Sequence, residues 1–134
     1  MSGDARSAGR VYAIELPEAV SHGAVVVDIR PQVLRAREGT LPGALAIERD
    51  ILEIRCDPSS SAHLALAVGY EVEWIIVSSD GYASSLAVLA LQQLGLRKAT
   101  DVVGGYEAIK AAGLTGSLIA AQHCARELAT VSAH

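Results

Sequence analysis

Four apolar residues, Trp74-Ile75-Ile76-Val77, run directly into the polar stretch Ser78-Ser79-Asp80-Gly81-Tyr82-Ala83. Ser84 to Leu94 follows, rich in Ala and Leu and closed by Gly95. No other segment restricts the fold so tightly. A short apolar run with β-branched residues predicts a buried strand. The Ala- and Leu-rich run predicts a helix that Gly95 stops. A strand passing into a helix through so short a loop turns several backbone N–H groups toward one point. With the positive end of the helix dipole, they form a cradle for an anion or for a nucleophile at its first position. That position is Ser78.

The chain of 134 residues suits one domain with one core. Only 4% of it is aromatic and it has no Phe, so Ala, Val, Ile and Leu must fill the core. That palette favours α/β layering. Strands are expected over Val11 to Ile14, Val25 to Ile29, Ala44 to Ile47, Trp74 to Val77 and Ala99 to Val103. Between them helices are expected over Leu16 to Ser21, Pro31 to Arg37, Arg49 to Cys56 (weakly), Ser61 to Val68 and Ser84 to Leu94, with Tyr106 to Ala112 after the last strand. Residues 1–10 read as a disordered lead-in and 11–115 as the domain. Residues 116–134 read as a helical tail packed on or beside it, with apolar Leu118, Ile119, Ala121, Ala125 and Leu128. The alternation predicts a three-layer α/β fold, its mainly parallel sheet flanked by helices on both faces. Ligands in such sheets bind beyond the carboxyl ends of the strands. Ser78 to Ala83, Asp28 to Arg30 and Gly104-Gly105 should therefore share one rim.

The net charge of −4, without a basic patch, argues against nucleic acid. The N-terminus lacks the apolar stretch of a signal peptide, and no run is long enough to cross a membrane. A cytoplasmic protein is expected. Cys56 and Cys124 form neither a disulfide framework nor a CxxC pair, and the scattered His and Cys lack metal-ligand spacing. No metal and no cofactor are expected.

Several motifs together resemble the rhodanese homology domain. Val27-Asp28-Ile29-Arg30 is similar to the family's Asp-x-Arg strand end. Gly39-Thr40-Leu41-Pro42-Gly43-Ala44 is similar to its Gly-His-Ile-Pro-Gly-Ala turn, with Thr40 in place of His. Asp101-Val102-Val103-Gly104-Gly105-Tyr106 through Leu114 resembles the closing strand, Gly-Gly turn and helix. The resemblance spans about Val11 to Gly113. The family's active loop reads Cys-x-x-Gly-x-Arg-Ser. Gly81 and Ser84 keep their places, which sets Ser78 at the cysteine position and Ala83 at the arginine position. The loop from Ser78 to Ala83 resembles that of the family's sulfurtransferases in its six-residue length, not the longer loop of the rhodanese-like phosphatases.

The resemblance implies a loop thiolate that accepts sulfur from a donor such as thiosulfate and passes it on. Ser78 has neither an acidic thiol nor a polarisable sulfur, so a persulfide carrier is not expected. A serine nucleophile needs an adjacent base, usually His, and none of His22, His63, His123 or His134 lies in or beside the loop. The expectation is a rhodanese-like domain without sulfur transfer, a pseudoenzyme that binds an anion or a protein. The alternative is a thiosulfate-type sulfurtransferase whose cysteine was exchanged for serine by engineering. Candidate partners are a small sulfur-containing or other anion and a protein; the oligomeric state is open. The candidate site is Ser78 with Ser79, Asp80, Gly81, Tyr82, Ala83 and Ser84, and more weakly Asp28 and Arg30 on the rim. Within it Ser84 is expected to N-cap its helix, and Ser79 and Asp80 to be solvated turn formers. Asp28 and Arg30 are expected to form a structural ion pair, and Arg35 and Arg37 a solvated face. Tyr82 walls the pocket or lies on the surface. Cys56 is expected to be buried and inert, with a relocated rim thiol as the lesser reading.

Overall fold

Two parallel strands, β1 (Val25–Asp28) and β3 (Trp74–Val77), form the centre of the computed structural model, which describes residues 9–119. Every residue of both is buried, as the apolar runs over Val25 to Val27 and Trp74 to Val77 require. β2 (Leu45–Ala46) pairs with the outer side of β1 and β4 (Thr100–Asp101) with the outer side of β3, giving a parallel sheet in the order β2-β1-β3-β4. Beyond β4, Val11 makes one isolated parallel bridge to Val102.

Alternate residues of the strands feed two cores. Val25, Val27, Trp74 and Ile76 face α3 (Leu52–Cys56) and α4 (Tyr82–Gln93), which bury Leu52, Cys56, Ala87 and Leu91 against them. Val26, Ile75 and Val77 face α1 (Leu16–Ser21) and α5 (Gly105–Ala111), which contribute Leu16, Ala19, Tyr106 and Ile109. This is the three-layer arrangement that the alternation predicts. α2 (Gln32–Glu38) buries no residue and stands on the carboxyl rim.

Several expected elements differ: the strands over Ala44 to Ile47 and Ala99 to Val103 are only Leu45–Ala46 and Thr100–Asp101, and Arg49 to Cys56 divides into a 3₁₀ turn at Arg49–Ile51 and α3. The strand over Val11 to Ile14 shrinks to the bridge at Val11, because Tyr12 N–H donates to Glu15 Oε1 at 2.9 Å and turns Ala13–Glu15 into a 3₁₀ helix. The helix over Ser61 to Val68 does not form. Leu64 N–H instead donates to Arg55 carbonyl at 2.7 Å, the chain turns, and Leu64 and Ala67 are buried in the core, with Leu66 packed against it, while Val68 is exposed. The central helix begins at Tyr82 rather than Ser84. Of the expected tail, Leu118 is buried against the second core and Ile119 is exposed; the remainder, with Cys124, lies outside the described residues. Among the described residues, no helix is long and apolar enough to cross a membrane.

Candidate functional site

Asp28 ends β1, Ser78 follows β3 and Asp101 ends β4. Parallel pairing brings these three strand ends to one rim, and all three side chains are buried. A buried polar group is costly unless it is hydrogen-bonded. Each of the three is bonded, and the pattern of those bonds defines the site.

The loop after Val77 is held by backbone before any side chain acts. The first N–H groups of α5 take its carbonyls: Tyr106 N–H donates to Ser78 oxygen at 2.8 Å and Glu107 N–H to Ser79 oxygen at 3.0 Å. This approach needs Gly105, at φ 61°, where an added Cβ would collide with the Ser78 carbonyl and stand 2.7 Å from Gly81 N. Gly81, at φ 92°, turns the chain into α4. Its carbonyl accepts Arg10 Nη2 at 3.1 Å, and Arg10 Nη2 would lie 2.9 Å from a Cβ at this position.

Ser78 Oγ lies inside the turn and is 4% exposed as a residue. It accepts Gly81 N–H at 3.2 Å and Ser84 N–H at 3.0 Å, and it bonds Ser84 Oγ at 3.0 Å. Ser84 Oγ in turn donates to Asp101 Oδ2 at 2.6 Å. Arg10 closes the chain, giving Nε to Asp101 Oδ1 at 2.7 Å and Nη2 to Oδ2 at 3.0 Å. The Asp101 bond and charge raise the Arg10 pKa, so the guanidinium stays charged. Ser84 is therefore not the N-cap that the sequence suggests. It is the third residue of α4, and its hydroxyl faces inward to Asp101. Asp80 turns the loop by accepting Tyr82 N–H at 3.0 Å, as a solvated turn former does.

The β1 end carries a second chain. Arg30, its side chain 1% exposed, gives Nη2 to Asp28 Oδ2 at 2.7 Å and Nε to Oδ1 at 3.0 Å. Its Nη1 reaches Glu38 Oε1 at 3.3 Å, and its carbon centre stacks 3.9 Å from the Tyr106 ring centroid. Burial opposes the charge on Arg30, yet the bonds and charges of Asp28 and Glu38 raise its pKa overall. The Asp28–Arg30 ion pair expected from the sequence is present. Ser79 departs from expectation: its hydroxyl donates to Glu38 Oε1 at 2.8 Å, and that bond is the largest cause of the lowered Glu38 pKa. Arg35 also leaves the solvated face, donating Nε to the Arg30 carbonyl at 3.1 Å.

Tyr82 and Ala83 are exposed, so Tyr82 is a surface residue rather than a wall. Cys56 is fully buried in the first core, and burial pushes its pKa up to about 12; it is no relocated rim thiol. His22 bonds the Glu18 carbonyl and His63 the Leu64 carbonyl, so neither serves as a base for Ser78. A cleft of about 560 Å³ runs beside the site between α4 and β4, lined by Arg10, Ser85, Val88, Leu89, Gln92 and Asp101 among others, and not by Ser78. Sequence reasoning missed Arg10, Glu38 and the role of Asp101. Asp101 did carry a signal, since it repeats the strand-end acid seen at Asp28. Arg10 carried none, standing 91 residues away in an apparent lead-in.

The family model for the rhodanese-like domain matches residues 13–112. The chain belongs to the rhodanese-like domain family. Among solved structures, the protein RPA3614 of Rhodopseudomonas palustris, described as a protein of unknown function and possible tyrosine phosphatase, is 28% identical. It aligns over 83% of this chain and 86% of its own, with a TM-score of 0.69. A rhodanese homolog of the extremely thermophilic bacterium Thermus thermophilus is 25% identical over 75% of this chain and 99% of its own, at a TM-score of 0.55. A rhodanese-related protein of Thermoplasma volcanium, 22% identical over 78% of this chain and 93% of its own, shares the fold at a TM-score of 0.60. No curated protein matches the chain. In this rhodanese-like domain the loop after β3 opens with a buried serine, Ser78.

Proposed function

We propose that the chain is a rhodanese-like domain that does not transfer sulfur and works as a binding domain, with a protein as its partner. The observation that carries the first half is the environment of Ser78. Its oxygen is not a nucleophile facing a base; it is a satisfied hydroxyl taking two backbone N–H groups. Asp101 is one residue removed, beyond Ser84, and is neutralised by Arg10. A hydroxyl so placed is not activated.

Several donors that a small anion would use are already engaged. The N–H groups of Gly81 and Ser84 are taken up by Ser78, and that of Tyr82 by Asp80. Arg30 is sealed between Asp28 and Glu38, and Ala83 stands where the family's loop has arginine. A protein partner is favoured by the outer side of α4. That helix carries no charged residue, and it exposes Tyr82, Leu86 and Leu89 at helical spacing beside the loop and the cleft. The possible phosphatase activity in the description of the R. palustris protein does not carry over, because this loop has neither a thiolate nor an arginine. The preserved loop itself favours a second reading, a sulfurtransferase with its cysteine exchanged, which a Cys codon at position 78 of the gene would establish.

The test is the mass of the intact protein after incubation with thiosulfate. We expect no gain. A gain of one sulfur atom that cyanide removes would overturn the reading and direct attention to Cys56 or Cys124.

A further inference from the structure

Ser84 has one hydroxyl proton, and the structure leaves it one destination. Asp101 takes Arg10 Nε on Oδ1, and Arg10 Nη2 and Ser84 Oγ on Oδ2. A carboxylate paired with a guanidinium on both oxygens has no proton to give, so Ser84 donates the 2.6 Å bond. Toward Ser78, 3.0 Å away, Ser84 Oγ then offers only lone pairs. The group at position 78 must be the donor in that contact. Its own lone pairs face two donors, the N–H groups of Gly81 and Ser84. A hydroxyl meets all three demands, giving one proton and accepting two bonds.

We infer that the chain Arg10–Asp101–Ser84 specifies a neutral hydrogen-bond donor at position 78, and that these three positioning residues select a hydroxyl over a thiolate there. The inference deepens the proposed loss of sulfur transfer and rests on it. A thiolate keeps the N–H bonds of Gly81 and Ser84 but has no proton to offer, so the Ser84 lone pair opposes it where it accepts from a hydroxyl. Serine is thus suited to its surroundings, and a cysteine there ionises against Ser84.

Other charges around the loop do not substitute for this chain. Asp80 lies in the loop and is exposed, and Glu107 lies in the first turn of α5. Glu38 bonds Ser79, with Arg30 and Asp28 behind it. Among the described residues, the hydrogen-bond partners of the Ser78 hydroxyl are Gly81 and Ser84.

The test uses the full chain carrying Ser78→Cys, with the pKa of the introduced thiol followed by thiolate absorbance against pH. Burial by itself would also raise that pKa, so the deciding readout is the sign of a second change. Ser84→Ala, added to Ser78→Cys, removes the acceptor of the thiol proton without altering any charge. We expect Ser84→Ala to lower the pKa of the introduced thiol by about one unit. Asp101→Asn frees the Ser84 proton to turn toward the introduced sulfur and should lower the pKa as well; should one variant fail to fold, the other decides. A rise on adding Ser84→Ala, or no shift in a folded variant, would overturn the inference. Failure here is distinct from failure of the proposed function, which a cyanide-labile sulfur on the unaltered chain would show.

Discussion

The rim carries two chains that each join an arginine and an acid to a loop serine, and they differ in how they are closed. At the β1 end an acid and an arginine two residues apart, Asp28 and Arg30, pair inside the protein and reach Ser79 through Glu38. At the β3–β4 end an acid and an arginine 91 residues apart, Asp101 and Arg10, pair at the protein's edge and reach Ser78 through Ser84. Each chain tethers one of two adjacent loop serines. The first is local and sealed, with both ionic side chains at 3% exposure or less; the second is long-range, with Arg10 42% exposed. A sealed pair fixes structure. A half-open pair holds the hydroxyl network of the loop while the guanidinium still borders the cleft.

The contrast predicts unequal costs. Arg30→Met leaves Asp28 buried and without its main partner, which should cost about 3–5 kcal/mol in urea unfolding. Gly105→Ala forces a Cβ between the Ser78 carbonyl and Gly81 N while keeping a left-handed backbone. It should cost on the order of 2 kcal/mol and loosen both serines together, visible as faster amide exchange at Gly81 and Tyr106. Arg10→Met breaks the half-open pair. It leaves Asp101 with Ser84 and opens it to water from the cleft, so it should cost less than Arg30→Met, about 1–2 kcal/mol, and less still as salt is raised. Equal costs for Arg30→Met and Arg10→Met would erase the distinction between the two chains.

The smallest effect is that of pH. The Ser79 hydroxyl, and after it Arg30, hold the Glu38 pKa below its usual value. A carboxyl whose folded pKa is depressed adds stability that is present above its unfolded pKa, near about 4.3, and lost as pH falls through the folded value. The stability gap between the unaltered chain and Glu38→Gln should therefore narrow on acidification from neutral through that range. A gap independent of pH would remove Glu38 from the first chain.

Local chemistry makes the first chain legible and hides the second. Asp28 and Arg30 are neighbours on one strand end, so reading the sequence brings them together. The apolar runs at Val25 and Trp74 likewise announce β1 and β3, because a parallel strand buried on both faces has no other composition. The bond from Ser84 to Asp101 depends on which strands pair, and the bond from Arg10 depends on Val11 docking against Asp101 and Val103 at the sheet edge. Ser84 looks like a cap from its place after a polar loop. It is not one, because Gly81 lets the helix begin two residues earlier and the hydroxyl turns to a buried acid. The turn at Ser61 to Val68 escapes the sequence for a similar reason: its Ala-rich composition suits a helix, yet a backbone bond to Arg55 and the anchoring of Leu64 decide its path.

The central claim is that position 78 holds a hydroxyl donating toward an acid-bound serine. Neutron diffraction from deuterium-exchanged crystals tests it most directly, by locating the deuterons on both side chains. The account predicts one on the line from Ser78 Oγ to Ser84 Oγ and another on the line from Ser84 Oγ to Asp101. A deuteron on Ser84 pointing at Ser78, with none between Ser84 and Asp101, would contradict it.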